Sequence, residues 1–372
     1  MELRRRGRTA AAACGILTAM GCLGGAGPVH AAGSGPLAAG FSTPGGLEYV
    51  SADSPKDAWA VGGGNGPTPI VAHWNGSKWS ATPIPKVRYA DLKGVAAVSP
   101  TDAWLVGFDD DPTTISNYEM ALVLHWNGKG WKRIEIPLFA GDFPWAVAAT
   151  AKSVWIFGSS QIWHLSDGTW NLVPASKPVN GGLANGVAVA WPGTFWWGGG
   201  SYQPATGPET SYVIRWNGIA WKRVAIPMDR PNDYIEAMAG GPHGAVWAVG
   251  WGSPDGDGAQ FATGMLWNGK KWRRVELNAE SDFEGVSFIR GGGAWAVGSI
   301  NNGDFVLAAR WTGSAWQQVP VPVPPASTAR ECNLTAVSAT SARDAWAVGS
   351  CWNTGLTKTS TWIVHWNGKA WS

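Results

Sequence analysis

Apolar residues in this chain occur in short runs separated by Gly, Pro, Asn and Ser, and the same order of runs recurs along the sequence. A run of the type Leu-x-x-Val-Ser-Ala leads through a Ser-Pro-x-Asp turn into Asp-Ala-Trp-Ala-Val-Gly. After a variable stretch come a run that ends in Trp, then Asn-Gly, and then a run with another Trp that ends at Val-Pro or Ile-Pro. Asn-Gly between apolar runs favours a hairpin, since both residues tolerate positive φ in a type I′ turn. Each copy predicts four short antiparallel strands, A to D.

The Trp of strand B marks seven copies of this unit, spaced 41 to 51 residues apart. These residues are Trp59, Trp104, Trp155, Trp196, Trp247, Trp295 and Trp346. Such spacings are typical of propeller blades. The runs also lack strict alternation of apolar and polar residues, as expected for sheets covered on both faces. The sequence predicts an all-β fold, a seven-bladed β-propeller with four antiparallel strands per blade, over residues 46–372.

The words DAWAVG and HWNGxxW resemble the Trp-rich repeats of secreted β-propellers from high-GC Gram-positive bacteria. That group is loosely similar to the kelch and galactose-oxidase propeller class, and the repeat spacing is in the range of WD40 and kelch blades. The resemblance covers nearly all of the chain after residue 46 and implies the fold. It implies little about function, because propellers serve as lectins, scaffolds, hydrolases, lyases and oxidases.

The first 32 residues predict a secretory signal peptide. A basic segment, Met1–Arg8, precedes an apolar one, and Val29–Ala31 resembles an A-x-A cleavage site. A lipoprotein signal that ends at Cys22 and a membrane anchor are the alternatives. No later run of about 18 apolar residues occurs, so we expect no membrane span after cleavage. The expected location is extracellular, either secreted or associated with the cell envelope.

Removal of the leader changes the charge balance. The chain has 28 basic and 26 acidic residues, but its first 32 residues hold four Arg and one Glu, so the remainder has a net charge of −1. A nearly neutral chain offers no global electrostatic reason to bind nucleic acid or an anionic membrane.

Two cysteines remain after cleavage, Cys332 and Cys351, and an oxidising compartment favours one disulfide between them. If Val337 lies opposite Trp346 in the first hairpin of blade seven, the same register places the cysteines opposite each other.

Residues 33–45 are predicted to be a linker that includes a ring-closing strand. Phe41–Pro44 resembles the start of a fourth strand, and we expect it to pair with the last blade. The alternative is a leader remnant without structure.

No pattern in the sequence predicts catalytic residues, a cofactor or a firm metal site. His73, His125 and His365 occupy the same repeat position on separate blades, so they cannot converge on one metal. Nucleophile-elbow, dinucleotide and P-loop signatures are absent, and the features of copper-radical oxidases and sialidases are not matched. Asp255 and Asp257 resemble the start of a calcium loop, but its later acidic ligands are missing, which leaves them weak metal candidates.

Carboxylates recur where strand A begins, at Asp91, Asp142, Asp233 and Asp282. This end of a blade carries the D–A and B–C loops and lies near the central channel. A ring of acids there could bind a cation or sugar hydroxyls. The alternative is that each carboxylate accepts hydrogen bonds from nearby backbone N–H groups.

The chain has 27 Trp, and twenty of them fill three repeat positions, which accounts for most of the excess. Three of the others, Trp145, Trp251 and Trp352, are predicted to lie on the same loop-bearing face, and Tyr202 falls in a variable loop. Aromatic rings beside Asp residues suit a ligand site. The candidate ligand-binding residues are Trp145, Trp251, Trp352, Tyr202, Asp142 and Asp282.

These observations predict an exported, non-enzymatic, monomeric binding module that presents its loops to a glycan or to an extracellular or envelope protein. One alternative is a secreted polysaccharide lyase or glycoside hydrolase that uses the carboxylates of this face. Glycosidase chemistry needs two carboxylates about 5–10 Å apart, which a linear sequence cannot place. A structural or assembly scaffold is the other alternative.

Overall fold

The computed structural model describes residues 41–66, 68–87, 89–109, 120–136, 143–158, 161–173, 187–189, 196–202, 210–227, 233–253, 260–301, 305–324, 331–353 and 359–372. Apart from one short 3₁₀ turn, Pro242–Gly244, the regular structure of these residues is β-strand. In the same ranges no helix is long and apolar enough to cross a membrane. The strands are antiparallel to their neighbours and form the blades of a seven-bladed β-propeller.

Blades one to four are separate four-stranded sheets in which the strands pair in chain order. Blade one contains β1 (Tyr49–Ser54), β2 (Asp57–Gly63), β3 (Pro69–Trp74) and β4 (Trp79–Ala81). Blade two contains β5 (Ala90–Ser99), β6 (Asp102–Asp109), β7 (Met120–Trp126) and β8 (Trp131–Arg133). Blade three contains β9 (Pro144–Thr150), β10 (Ser153–Gly158), β11 (Ile162–Ser166) and β12 (Thr169–Val173). Blade four contains β13 (Val187–Val189), β14 (Trp196–Tyr202), β15 (Thr210–Trp216) and β16 (Trp221–Val224).

Blades five and six share one sheet, because a single long strand is both the last strand of blade five and the first of blade six. Blade five contains β17 (Tyr234–Gly240), β18 (Val246–Gly252), β19 (Phe261–Trp267) and the first part of β20 (Trp272–Phe288). Blade six contains the rest of β20, β21 (Ala294–Ile300), β22 (Phe305–Trp311) and β23 (Trp316–Gln318). Blade seven contains β24 (Glu331–Ser341), β25 (Asp344–Trp352) and β26 (Thr359–Trp366).

The outer edge of blade seven is covered from both ends of the described chain. Pro44 forms an antiparallel bridge with Ser360, and the N–H of Thr361 donates to the carbonyl of Thr43 at 2.9 Å. Farther along the same strand, Trp366 forms an antiparallel bridge with Trp371. Residues 43–45 therefore join blade seven before the chain enters blade one.

The three Trp positions of the repeat meet between neighbouring blades. Trp59 of blade one is fully buried, and its ring centre lies 4.8 Å from that of Trp131 in blade two. Trp346 of blade seven packs in the same way on blade one, 4.8 Å from Trp74 and 5.2 Å from Trp79. Such tilted and edge-to-face pairs are favourable beyond the area that they bury. The repeated Trp residues therefore hold successive blades together, including the last blade and the first.

Neighbouring inner strands are also joined by serine hydroxyl groups. In three places the N–H of an inner-strand Ala donates at 3.0 Å to a Ser of the preceding blade: Ala97 to Ser51, Ala339 to Ser287, and Ala52 to Ser338. The same repeat position is joined each time, so the inner strands run in the same direction around the channel. We call the end with the A–B and C–D turns the turn face, and the end with the D–A and B–C loops the loop face.

The Asn-Gly turns lie where the sequence predicts them, but their geometry differs. Trp74 pairs with Trp79, so the loop has four residues rather than two. The side-chain oxygen of Asn75 accepts hydrogen bonds from two backbone N–H groups at 3.1 Å, and in this loop only Gly76 has a positive φ, +89°. Both residues of the variant turn Asp167–Gly168 have positive φ, as type I′ requires. A side-chain acceptor therefore replaces the second left-handed residue at the Asn-Gly sites.

Cys332 and Cys351 form the predicted disulfide and lie opposite each other in the β24–β25 pair. The register used to predict this pairing was wrong by one residue, since Trp346 lies opposite Ser338 and not Val337. A β-bulge in β24 shifts the pairing by one position before the chain reaches the cysteines. This shift compensates for the difference of one residue at Trp346, and the predicted disulfide is confirmed.

Candidate functional site

A β-bulge recurs in the inner strands. In blade six, the pairing of β20 with β21 skips Glu284. The same irregularity skips Lys93 in blade two and Glu236 in blade five. A bulge leaves one residue outside the ladder and redirects its side chain. These residues and their equivalents in other blades border one cavity: Glu48, Lys93, Trp145, Glu236, Glu284 and Thr335.

This cavity, which we call the channel cleft, has a volume of about 630 Å³ and is bordered by the inner strands of six blades. That volume is within the usual range of ligand sites, about 300–1,000 Å³. Trp251 and Asp282 also line it. The charged lining residues are Glu48, Lys93, Glu236, Asp282 and Glu284. The channel cleft therefore holds four carboxyl groups, one ammonium group and two indole rings.

Burial makes several of these carboxyl groups hard to ionise. Burial, together with the smaller effects of the charges of Asp282 and Glu236, raises the pKa of Glu284 to about 7. Burial also raises the pKa of Glu48, against the opposing effect of Lys93. The pKa of Asp282 is raised by burial too, although its hydrogen bonds to a neighbouring Ser oppose the change. A cation in the channel cleft would stabilise the ionised forms of these groups.

Lys93 is surrounded by groups of the loop face. Its ammonium nitrogen lies 2.8 Å from a carboxylate oxygen of Asp91. It also lies 5.3 Å from the ring centre of Trp145 and 5.4 Å from that of Phe108, within cation–π distance. The two rings meet edge to face at 5.9 Å. One face of Trp145 is therefore already in contact with a cation of this chain.

Trp251 positions the carboxylate of Glu236, another residue that lines the channel cleft. Its indole N–H donates to Glu236 at 3.3 Å, and its ring centre lies 4.3 Å from that of Tyr234. The indole therefore orients the Glu236 carboxylate while Tyr234 covers part of the Trp251 ring.

The three described members of the predicted ring of Asp residues each have a local partner. Asp282 accepts hydrogen bonds from the N–H and the hydroxyl of Ser299, at 2.7 and 2.9 Å. Asp233 forms a bidentate salt bridge with the guanidinium group of Arg274. Asp91 pairs with a lysine, as described above. The local hydrogen-bonding alternative therefore describes Asp282, which lines the channel cleft as well.

The other candidates from the sequence do not come together in the described part of the chain. Trp352 is half-buried at the end of β25 and is not among the residues that line the channel cleft. The side chain of Tyr202 and the residues Asp142, Asp255 and Asp257 lie outside what the structure describes. Among the described residues, no three His, Cys, Asp or Glu side chains are close enough to hold a metal ion.

The sequence analysis missed the bulge residues. Glu48, Lys93, Glu236, Glu284 and Thr335 each stand eleven residues before the Trp of strand B, so one column of the repeat holds them. The analysis singled out the acidic column near the start of strand A instead. A search for the most polar column within the inner strand would have found the right position.

Solved structures of other proteins have the same architecture. The chain is similar to YCF48 bound to D1 peptide, with a TM-score of 0.57 and 15% identity over 86% of this chain and 94% of that one. It is also similar to YCF48 from Cyanidioschyzon merolae, with a TM-score of 0.54 and 17% identity over 86% of this chain and 96% of that one. No protein-family model matches the chain, and no curated protein does. At these identities the similarity shows the fold, and it confirms the predicted β-propeller.

Proposed function

We propose that this protein is an exported, non-enzymatic binding propeller whose channel cleft takes a Lys- or Arg-containing segment of an extracellular or envelope protein. The observation that carries the proposal is the channel cleft itself. Glu236, Glu284 and Glu48 reach one cavity from three blades, while Lys93 is the cation among the lining residues. Such acidic groups suit an ammonium or guanidinium group, which forms charge-assisted hydrogen bonds with carboxylates.

The fold and the sequence support the remaining parts of the proposal. YCF48, a propeller of similar fold, binds a D1 peptide, so this architecture accommodates a protein segment. The leader-like residues 1–32 and the disulfide between Cys332 and Cys351 support export to an oxidising compartment.

The aromatic groups favour a protein segment over a glycan. A sugar-binding site needs an open ring face on which a pyranose can stack. Lys93 lies over the ring of Trp145, and Tyr234 lies against Trp251, so both indoles already have neighbours of this chain. We therefore treat glycan binding as an outcome of the experiment rather than as a second proposal.

A displayed library of random peptides tests the proposal. Peptides selected on the folded protein should be enriched in Lys and Arg, and their affinity can be measured by calorimetry. Changing Glu236→Gln and Glu284→Gln together should weaken a selected peptide at least about tenfold, since charge pairs in a desolvated site contribute strongly. Affinity should also rise between pH 6 and pH 8, as Glu284 loses its proton near pH 7.

Glu280→Gln is the matched control, because Glu280 lies on the same strand as Glu284 but outside the channel cleft. Its affinity should equal that of the unchanged protein. Selection of acidic or apolar peptides, or equal weakening by the control, would refute the proposal. Binding on a glycan array that Trp251→Ala abolishes would assign the cleft to a sugar instead.

A further inference from the structure

The turn face carries many cationic side chains. Its described turns hold nine exposed Lys and Arg residues: Lys56, Lys78, Lys129, Lys152, Lys270, Lys271, Arg290, Arg343 and Lys369. Seven of the nine are Lys, whose compact ammonium group acts as a point charge without a fixed binding geometry. This composition suits an extended anionic surface better than one planar ligand.

Few carboxylates oppose these cations. The same turns hold four, of which Asp167 is exposed. The others, Asp57, Asp102 and Asp344, are each bonded to a His of the same blade at 2.7 to 3.0 Å. Beside the first turn, burial and the neighbouring Asp57 raise the pKa of Asp53 to about 7, which lowers its negative charge at neutral pH. The turn face is therefore a positive surface.

On the loop face, the channel cleft has a mostly acidic lining. Glu48, Glu236, Asp282 and Glu284 line the channel cleft there against Lys93. The net charge of −1 after residue 32 therefore combines an excess of cations at the turn face with an excess of acidic groups in the rest of the chain. The near-neutral total that argued against binding to an anionic membrane does not describe either face.

The cationic turns are held at fixed positions. In blade one, the indole N–H of Trp74 donates to the carbonyl of Pro55 at 3.1 Å, which ties the C–D turn to the A–B turn. A Cβ placed on Gly76 would lie 3.2 Å from Lys56, so the two turns are in close contact. The same indole bond recurs in blades two and seven. Rigid turns at one end of a ring present their charges together.

An exposed aliphatic side chain lies on the same face. Ile219 sits in the turn between β15 and β16 and is 85% exposed, more than any other large hydrophobic side chain that the structure describes. A soluble polyanion gains nothing from such a group. A lipid interface does, because it accepts an aliphatic side chain among headgroups that attract lysines.

We propose that the turn face docks on a lipid bilayer that contains anionic headgroups, with the turn lysines over the headgroups and Ile219 in the interface. The protein would then lie flat, with the loop face and its channel cleft directed away from the membrane.

Co-sedimentation with vesicles tests this proposal. All the described strands lie between residues 49 and 366, so the protein can be used without the leader-like residues 1–32, whose apolar segment would itself bind lipid. We expect binding to phosphatidylcholine vesicles that contain phosphatidylglycerol, little binding to pure phosphatidylcholine, and release by salt. Changing Lys129→Gln and Lys369→Gln together should lower partitioning about tenfold. The backbone N–H groups of both residues bond the turn Asn, so the turns should remain folded.

Lys86→Glu is the matched control. It changes the net charge by the same amount, but Lys86 is exposed in the loop between β4 and β5, on the loop face. Partitioning of this variant should stay within about twofold of the unchanged protein. Ile219→Ser should weaken vesicle binding and leave binding to soluble polyphosphate unchanged.

Three results would overturn the proposal: equal binding to neutral and anionic vesicles, equal loss with Lys86→Glu, or no vesicle binding at low salt. Binding to polyphosphate or nucleic acid without binding to vesicles would also overturn it, in favour of a soluble polyanion.

Discussion

At the scale of single residues, Glu284 is a carboxyl group of the channel cleft whose charge depends on pH near neutrality. Burial and two neighbouring carboxylates raise its pKa from the ordinary 4.5 to about 7. The folded protein therefore holds a proton that the unfolded chain releases, so stability should fall as pH rises from about 4.5 to 7 and then level off. Glu284→Gln should remove this loss, a gain on the order of 3 kcal/mol at most at pH 8 and none at pH 4. Urea unfolding at both pH values measures it.

Glu280→Gln provides the comparison for this experiment, because Glu280 is an exposed carboxylate on the same strand. We expect no difference between its effects at the two pH values. An equal gain from Glu284→Gln at pH 4 and pH 8 would contradict the argument, since a packing effect would not depend on protonation.

The sequence shows which residues are acidic but not which of them share a cavity. Glu236 and Glu284 are 48 residues apart and meet only because two neighbouring blades turn the same repeat position inward. Trp145 and Trp251 were found because they lie outside the repeat, and both line the channel cleft. Trp352 also lies outside the repeat but does not line the channel cleft. Its position in the sequence could not show this, because the position does not determine where the side chain points.

At the scale of strands and turns, the disulfide fixes the first hairpin of blade seven. Cys332 and Cys351 are 19 residues apart and join β24 to β25 beyond the bulge. In the chain-entropy description, closing such a loop contributes about 3 kcal/mol by restricting the unfolded chain. Replacing both cysteines with Ala should therefore lower the free energy of unfolding by about that amount, as measured by urea unfolding.

A reducing agent supplies the control for the cysteine experiment. It should destabilise the unchanged protein to the same extent and leave the double Ala variant unaffected. Identical unfolding curves for the unchanged protein with and without the reducing agent would show that the bond does not form.

The strands could be predicted because the turn motifs that delimit the hairpins recur in each repeat. The bulge could not be predicted from the sequence. A bulge changes which residues face each other without changing the apolar pattern, so the register of Trp346 was misjudged by one position. The Asn-Gly turns were placed correctly, but their type depends on the hydrogen bonds that the Asn75 side chain accepts. The pattern of apolar residues therefore predicts the strands and turns, whereas the type of each turn depends on local hydrogen bonds.

At the scale of the whole molecule, the repeat explains why the blades close into a ring. Where the structure describes the strand B Trp, that residue contacts a Trp of the next blade, and Trp346 packs on Trp74 of blade one as Trp59 packs on Trp126 of blade two. Seven copies could be counted from the sequence, and their order follows from this contact. The cationic turn face could not be predicted from the net charge, because it depends on which turns lie at the same end of the blades.

Closure of the ring also depends on a glycine in the segment that covers blade seven. Gly45 has a φ of +126°, and a Cβ there would lie 2.7 Å from Gly64 and from the Ile70 side chain. Gly45→Ala should therefore displace residues 43–45 from β26 and lower the free energy of unfolding by about 2–4 kcal/mol. The uncovered edge of β26 should then pair with a second molecule, since a free strand edge promotes association. Light scattering after gel filtration measures the association, and urea unfolding measures the stability. Gly66→Ala is the matched control, because a Cβ at Gly66 meets nothing within 4 Å. A Gly45→Ala protein as stable and as monomeric as the control would show that this segment does not close the ring.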